Sequence, residues 1–454
     1  MRYMIFFVLE VALLAQASWD TVWTRRYDGW GYKDFGYGCV VDRNGDIITV
    51  GYTFKGSTLN DALIIKYNQF GDSIWTRQYD IDQRDFLFNV AIDSQNNIII
   101  TGSSGIYGVN YDLLVMKLTE SGDTVWSRKL YGGADKDWGQ DIATDRNGDI
   151  IVAGVYNMQW FVGKISPQGD TVWTRSYPVG EAWGLAVDGM NNIVVVGKVS
   201  NGSDDDILVI KYTPQGDTIW SRRFDLGGSE YGRDITLNQS GEFVIGGRQD
   251  RKALAVKIDK DGNLIWWRSY VHSDDDNINR VTIDTSGNIL MAGYTHINGC
   301  DILVIALDSL GNEIWYQAYG IGNYDFACGI DADGGSNFYI VGSVGDFDST
   351  DMVTIRYQRS VWIAEERSIS KLSRKIICPN PTRGPVFIRT ETVVYIYDSG
   401  GRLITRLLPQ GGVACWHIRN IPNGVYHLIT DTPHRRTSVY LFRIHLEKRE
   451  GKLW

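Results

Sequence analysis

Apolar and polar positions along this chain fall into short runs that alternate or cluster, and no stretch repeats with the period of a helix. Between residues 20 and 358 four kinds of run follow one another in a fixed order. A short alternating run ending in Asp or Asn (Asp42, Asp93, Asp145, Asp188, Asn238, Asp284, Asp331) reads as strand a. A turn such as Arg43-Asn44-Gly45 leads into strand b, an apolar run such as Ile47-Ile48-Thr49-Val50-Gly51. Strand c is almost continuously apolar and carries a base near its end: Lys66, Lys117, Lys164, Lys211, Lys257 and Arg356, with Ala306 as the departure. A Gly-containing turn then gives strand d and its Trp. Short β-branched runs bounded by Gly, Asn and Asp predict strands throughout.

The d strands repeat Gly-Asp-Thr-Val-Trp-x-Arg around Trp23, Trp75, Trp126, Trp173, Trp220, Trp266 and Trp315, at steps of 52, 51, 47, 47, 46 and 49 residues. A period of that length is one four-stranded propeller blade. The register is sharper than the count. The strand c base precedes the next Trp by nine residues in each repeat from Lys66 to Trp75 through Ala306 to Trp315. The rule fails after Arg356, where Glu365 stands at the ninth place and Trp362 comes early in a segment without the Gly-Asp turn. At the other end, the strand around Trp23 is a well-formed d with no a, b or c before it. An orphan at one end and a vacancy at the other predict that residues 21–27 pair with residues 352–357. The expected fold is therefore all-β: a seven-bladed β-propeller closed by the N-terminal strand, followed by a small C-terminal β-sandwich.

The repeated residues invite functional readings that packing also explains. One Trp per blade could be a stacking surface for sugars or quinones, but a large ring at a fixed strand position is what blade-to-blade packing requires. The bases of strands c and d read as ladders of surface ion pairs rather than a binding patch. Asp42 to Asp46 and Asp145 to Asp149 resemble calcium loops, yet Asp284-Thr285-Ser286-Gly287-Asn288 fills the same place without the charges, so these read as Asx-initiated turns. The loops from d to a hold an acid followed by an aromatic: Asp34-Phe35, Asp85-Phe86, Asp137-Trp138, Glu230-Tyr231 and Asp325-Phe326, with Ala182-Trp183 and Asp276-Asn277 departing. In a propeller these loops gather at one mouth of the central channel. Either the acids accept backbone N–H groups and the rings plug the blade junctions, or the ring of acids and aromatics binds a carbohydrate or a basic peptide.

Composition narrows the classes. The chain has 454 residues with 50 Gly, 16 Trp, 25 Tyr and 15 Phe, and a net charge of −9, which argues against a nucleic-acid partner. Catalytic signatures are missing: no Gly-x-Ser-x-Gly, His-Glu-x-x-His, P-loop or Cys-x-x-Cys occurs, and His272 and His296 are the propeller's histidines. Asp204, Asp205 and Asp206 sit in a polar loop and read as solvated acids. No cofactor and no metal is called for.

The ends carry an address. Arg2, an apolar stretch over residues 3–14 and Ala15-Gln16-Ala17 read as a signal peptide cleaved between Ala17 and Ser18, so export is expected. Past Glu366 the charge inverts: residues 367–454 hold 15 basic and 5 acidic residues, residues 18–366 hold 29 and 48. This predicts a signal peptide (1–17), the propeller (18–358), a linker (359–374) and a separate sandwich (375–454). Of the five Cys, Cys39 and Cys328 read as equivalent positions in different repeats that face the same way and do not bridge, Cys300 as an unpaired loop residue, and Cys378 and Cys415 as a possible pair.

The stretch from Tyr131-Gly132-Gly133 and Asp137-Trp138 into residues 142–154 resembles the bacterial β-propeller repeat called SBBP, which implies the fold and says little of activity. It is more loosely similar to quinoprotein and outer-membrane assembly lipoprotein propellers. The tail, with Pro379-Asn380-Pro381, a hairpin through Tyr397, Asp398, Gly401 and Arg402, and a strand from Gly424 to Tyr426, resembles the C-terminal sorting domain of type IX secretion substrates, although the chain runs on to Trp454 where family members stop near the last strand. That resemblance implies passage across an outer membrane by the secretion machinery. The combined expectation is a secreted or cell-surface propeller that acts as a non-catalytic binding or structural scaffold, with a glycan or protein ligand at the channel mouth. The alternative is an extracellular propeller enzyme: a glycan lyase or hydrolase, or a quinoprotein.

Overall fold

The computed structural model describes residues 18–360, apart from 30, 57–58, 107–108, 131–136, 178–179, 298 and 347, together with seven strands between Ile376 and Ile444. The signal segment, residues 361–374 of the expected linker, Pro379 to Pro381, Gly401 and Cys378 lie outside the described residues, while Arg359 and Ser360, expected to open the linker, end the strand Ser349–Ser360. The chain divides into two compact units, one ending at Val361 and one beginning at Trp362.

The larger unit is all-β and antiparallel within each array of four strands. The order a-b-c-d recurs, as in Trp138–Thr144, Ile150–Tyr156, Gln159–Ile165 and Thr171–Tyr177. Two of the arrays are joined into one eight-stranded sheet by a lone parallel pairing of Asn60 with Arg84. No sheet closes on itself. The array at the chain ends is composite: Ser18–Tyr27 lies beside Ser349–Ser360, followed by Asn337–Asp346 and Phe326–Ala332. Thr21 stands opposite Tyr357, Trp23 opposite Arg356 and Tyr27 opposite Met352. The same partnership recurs in every array, with Lys66 opposite Trp75, Lys164 opposite Trp173 and Ala306 opposite Trp315, so the nine-residue spacing in the sequence is a cross-strand pair in space.

The core lies between successive arrays, in apolar clusters built from facing b and c strands. Each Trp of strand d caps such an interface. The indole Nε1–H of Trp23 donates to Gln69 O at 3.1 Å, and those of Trp126 and Trp173 donate to Pro167 O and Pro214 O at 3.0 Å, in the c-to-d turn of the next array. The Arg two residues on lies against its ring, at 5.4 Å for Arg25 on Trp23 and 5.3 Å for Arg175 on Trp173. The Trp column is an inter-array staple.

The strand c bases are buried, not surface ladders. Lys164 Nζ lies 2.8 Å from Asp145 and 2.9 Å from Asp149, Lys66 lies 2.8 Å from Asp42, and Lys211 lies 2.9 Å from Asp188. The calcium-like turns thus hold an internal ammonium where a cation would sit, while Oδ1 of Asp145 accepts from the N–H groups of Asn147 and Asp149.

The seventh turn corrects the alignment of the last repeat. Asp333, not Asp331, accepts the turn N–H groups, from Gly335 and Asn337. The same two-residue slip explains the cysteines: Cys39 pairs across strands with Thr49, whereas Cys328 is the unpaired residue of a bulge between Ala327 and Gly329. They are not equivalent. Both are free thiols, as is Cys300, whose backbone forms an isolated parallel β-bridge with that of Tyr324.

Beyond Trp362, Ile376–Ile377, Val386–Arg389 and Val413–Trp416 form one sheet. Leu403–Leu407, Val394–Asp398, Gly424–Thr432 and Arg435–Ile444 form another. Tyr397 and Asp398 pair with His427 and Tyr426 across adjacent strands.

Candidate functional site

Every strand a contains one bulge at the same depth, and that bulge defines the channel. The register slips between Gly36 and Gly38, Leu87 and Asn89, Gly139 and Asp141, Ala182 and Gly184, Gly232 and Asp234, Ile278 and Arg280, and Ala327 and Gly329. A bulge leaves one residue unpaired and re-aims it. Those residues are Tyr37, Phe88, Gln140, Trp183, Arg233, Asn279 and Cys328. The local cause is a glycine in strand b: a Cβ on Gly51 or Gly197 would lie 1.8 Å from the carbonyl oxygen of Phe35 or Glu181. The innermost strands contact one another in sequence, and the last contacts the first.

The d-to-a loops meet at one mouth, where their acids and rings part company. Asp34, Asp85, Asp137, Glu230 and Asp325 are fully buried. Asp34 accepts from Gly29 N at 2.6 Å, Asp85 from Ile81 N at 2.8 Å, Asp137 from Asn157 N at 2.9 Å, Glu230 from Leu226 N at 3.2 Å, and Asp325 from Ile321 N at 2.7 Å and Gly345 N at 2.6 Å. They tie down loop backbone and present no carboxylate to the mouth. Burial, partly offset by these hydrogen bonds, pushes Asp34 up to about 7 and Asp85 to about 6.

The rings do come together. Phe35 stacks on Tyr52 at 5.0 Å and on Phe326 at 6.2 Å; Phe86 meets Tyr52 at 4.8 Å edge-on, and Tyr37 meets Phe88 at 5.4 Å. Tyr37, Tyr52, Phe86, Phe88, Tyr111 and Trp138 line a cavity of about 280 Å³. Trp183 belongs elsewhere than the Ala182-Trp183 pairing suggests. It stands at the bulge, level with Tyr37, and Glu181 takes the place of Phe35. There it meets Tyr231 at 5.9 Å, with the Arg233 guanidinium 4.1 Å above its ring. Sequence reasoning missed Tyr37, Phe88 and Arg233. The signal was present, since each stands two residues after the aromatic of its acid-aromatic pair, but only the bulge gives that place a direction.

Deeper in the channel, one residue past the bulge, sit Asn89, Asp141, Asp234 and Arg280, with Asp331 lower down, around a cavity of about 520 Å³. Each acid staples neighbouring innermost strands: Asp141 accepts from Ile142 N at 2.8 Å and Leu185 N at 2.6 Å, Asp234 from Ile235 N at 2.9 Å and Val281 N at 2.8 Å, and Asp331 from Ala332 N at 2.9 Å and Val41 N at 2.8 Å. Asn89 donates to Asp141 as well. Arg280 reaches across the channel, its Nη2 3.3 Å from Gln140 O. Burial raises Asp141, and Asp234 to about 7, with the positive charge of Arg280 opposing it in both; burial also pushes Asp331 up to about 6.

The remaining acids are accounted for. Of Asp204 to Asp206, read as solvated, Asp206 is fully buried and ion-paired to Arg223, because strand c begins at Asp205 and turns its side chain inward. Asp28, Asp34 and Asp351 form one grouping of carboxylates whose oxygens lie within 4.8 Å, and Asp206, Asp225 and Glu230 another; Arg26 pairs with Asp351 as Arg223 does with Asp206. His272 lies 3.0 Å from Glu313 on the outside of its array, and His296 is exposed.

The fold and its channel define a β-propeller protein. Residues 271–299 match the family model for the SBBP beta-propeller repeat, so the chain carries that repeat type. It is similar in structure to a catalytically inactive form of virginiamycin B lyase from Staphylococcus aureus solved with quinupristin, at 14% identity over 74% of this chain and 99% of that one, with a TM-score of 0.52. A protein of unknown function from Dyadobacter fermentans matches at 8% identity over 76% of this chain and 100% of its own, with a TM-score of 0.50. In sequence, an uncharacterized WD repeat-containing protein of Acanthamoeba polyphaga mimivirus is 25% identical over 142 residues; this chain spans 10% of that protein's length, and the match covers 24% of this chain.

Proposed function

We propose that the chain is a seven-bladed propeller, its ring closed by Ser18–Tyr27, that acts outside the cell as a non-catalytic binding scaffold and is exported with the help of its C-terminal domain. The observation that carries the binding role is the mouth itself. Aromatic rings converge there on a small cavity, while the carboxylates that accompany them in sequence are consumed by backbone N–H groups. A mouth lined by part-buried rings without a paired acid and base suits recognition better than proton transfer. The composite array supports the closure, because its register repeats that of every other array. The sorting-like tail and the leader sequence support export.

The channel cluster of Asp141, Asp234 and Arg280 favours a second reading, an extracellular propeller enzyme, since buried carboxylates held above their ordinary range beside a guanidinium are a common catalytic arrangement. Against it, each carboxylate already accepts two backbone N–H bonds that hold the ring together. Two experiments decide. Fractionation of the native host should find the protein on the surface or in the medium, with or without residues 375–454; full-length protein retained in the periplasm refutes the export role. A glycan array read with wild type and Phe86→Ala should show binding that the substitution abolishes, and turnover of a bound glycan would favour the enzyme.

A further inference from the structure

The two sides of the mouth differ in charge. The first two arrays present Tyr37, Tyr52, Phe86 and Phe88 around the small cavity. Across the channel, Trp183 and Tyr231 carry two cations, Lys198 and Arg233, and Arg248 stands opposite Tyr231 in the neighbouring strand. Lys198 lies 5.4 Å from the ring of Trp183 but is neutralised by Glu181 at 3.5 Å and Asp205 at 3.3 Å; Arg248 is neutralised by Asp275 at 3.1 Å. Arg233 is different. Among the described residues it has no hydrogen-bond acceptor and no ion-pair partner, and its Nε is shut off from solvent. Its guanidinium carbon lies over the Trp183 ring, 4.1 Å from the centroid, a contact that takes up none of its N–H donors. Arg233 is part-buried, and an Nε–H that has lost water without gaining an acceptor is costly to keep. Burial depresses its pKa, offset in part by the Tyr294 hydroxyl and Glu181.

Cys328, the bulged residue between Arg233 and Tyr37 on the way round the ring, is near enough to interact electrostatically with both, so the two sides belong to one mouth. We propose that Arg233 is the anchor for a single carboxylate on a sugar ring, and that the ligand of this mouth is a uronic-acid-bearing glycan whose adjoining neutral ring lies against Tyr37, Tyr52 and Phe86. This rests on the binding role proposed above and names its ligand class. The fork of an arginine matches a carboxylate in two parallel hydrogen bonds. The aromatic cavity, about 280 Å³, is small against the roughly 300–1,000 Å³ of sites for drug-sized ligands and suits a flat ring with polar edges. Glu181, the carboxylate near enough to act on Arg233 electrostatically, is already paired with Lys198, so the unpaired positive charge at this edge is a single one and suits one carboxylate rather than a polyanionic peptide.

The test is calorimetric titration of the full chain with cellobiouronic acid, with cellobiose and with a glutamate-rich peptide, using wild type, Arg233→Met, Arg233→Lys and Phe86→Ala, each first checked by thermal melt. Cellobiouronic acid should bind wild type more tightly than cellobiose, and Arg233→Met should weaken it by about tenfold to a hundredfold while leaving cellobiose unchanged. Arg233→Lys should fall between, and Phe86→Ala should weaken both sugars. Equal affinity for the two sugars, or no effect of Arg233→Met, overturns the anion anchor but leaves the binding role standing if Phe86→Ala still reduces affinity. Tighter binding of the peptide through Arg233 overturns the glycan assignment. Failure of every probe to bind wild type overturns both.

Discussion

Removing the indole of Trp23 probes the seam where the two ends of the propeller segment meet. The ring is buried, 6.0 Å from Tyr339 and 6.2 Å from Tyr67, with Arg25 on its face. Truncating a buried aromatic to alanine costs about 3–5 kcal/mol. The lost indole hydrogen bond adds little, because Gln69 O keeps a second donor in Arg356. At about 2.1 cal/mol/K per residue, a unit of this size has an unfolding entropy near 0.7 kcal/mol/K, so a loss of about 4 kcal/mol lowers the melting temperature by about 6 °C. Trp173→Ala removes the equivalent indole hydrogen bond and arginine contact from an array made of consecutive strands and, because that ring is only part-buried, should lower the melt somewhat less. Hydrogen exchange separates the two. Ser18–Tyr27 reaches its sheet only through pairing, since the covalent path to Met352 runs through the rest of the unit. In Trp23→Ala the amides of residues 21–27 and 352–357 should therefore lose protection together, well below the global melt, whereas Trp173→Ala should open no such local unit. An unchanged melt in Trp23→Ala, or residues 352–357 staying protected after residues 21–27 have exchanged, refutes the closure.

Three further outcomes follow from the packing. Gly197→Ala would put a Cβ 1.8 Å from Glu181 O and must displace the bulge that aims Trp183; circular dichroism melts should show a loss of roughly 2 kcal/mol or more, and tryptophan fluorescence should change. Lys164→Met strands Asp145 without its cation and should cost about 3–5 kcal/mol in denaturant unfolding, with Asp145→Asn added to it recovering part of the loss. Stability should fall as pH rises from about 5 to about 7.5: burial raises Asp34 to about 7 and Asp85 and Asp331 to about 6, so the folded chain holds protons that the unfolded chain, with carboxyls near 3.8, has released. The contribution is complete below about pH 4 and is lost on passing the folded values. Melting curves check it, and Asp34→Asn should flatten the trend; a melt that rises over this window contradicts the buried state of these carboxyls. Glu242, held low by its hydrogen bond to Lys257, acts oppositely and only in stronger acid.

The repeat was legible because strand pairing is local and periodic. A Trp nine residues after a base is a cross-strand neighbour once a tight turn joins c to d, and this holds whatever the ring does elsewhere. The same logic exposed the orphan strand. It failed at Asp331, where counting by residue type chose the wrong one of two acids two places apart, and a strand of period two gives both the same face. The acid-aromatic motif was visible, but the roles of its halves were not. A buried carboxylate and an exposed one look identical in sequence, and only the course of the d-to-a loops decides that Asp34 caps Gly29.

The sequence by itself determined strand order, repeat length, cross-strand register and the charge contrast between the two segments, since these depend on neighbours close in the chain. The tertiary structure alone decided which residues face the channel. One extra residue in each strand a turns Tyr37, Phe88, Trp183 and Arg233 to the mouth and sets Asp141, Asp234 and Arg280 together from different arrays. A bulge costs little locally, and although a strand b glycine such as Gly51 or Gly197 stands against it, its effect on side-chain direction appears only when the arrays pack side by side.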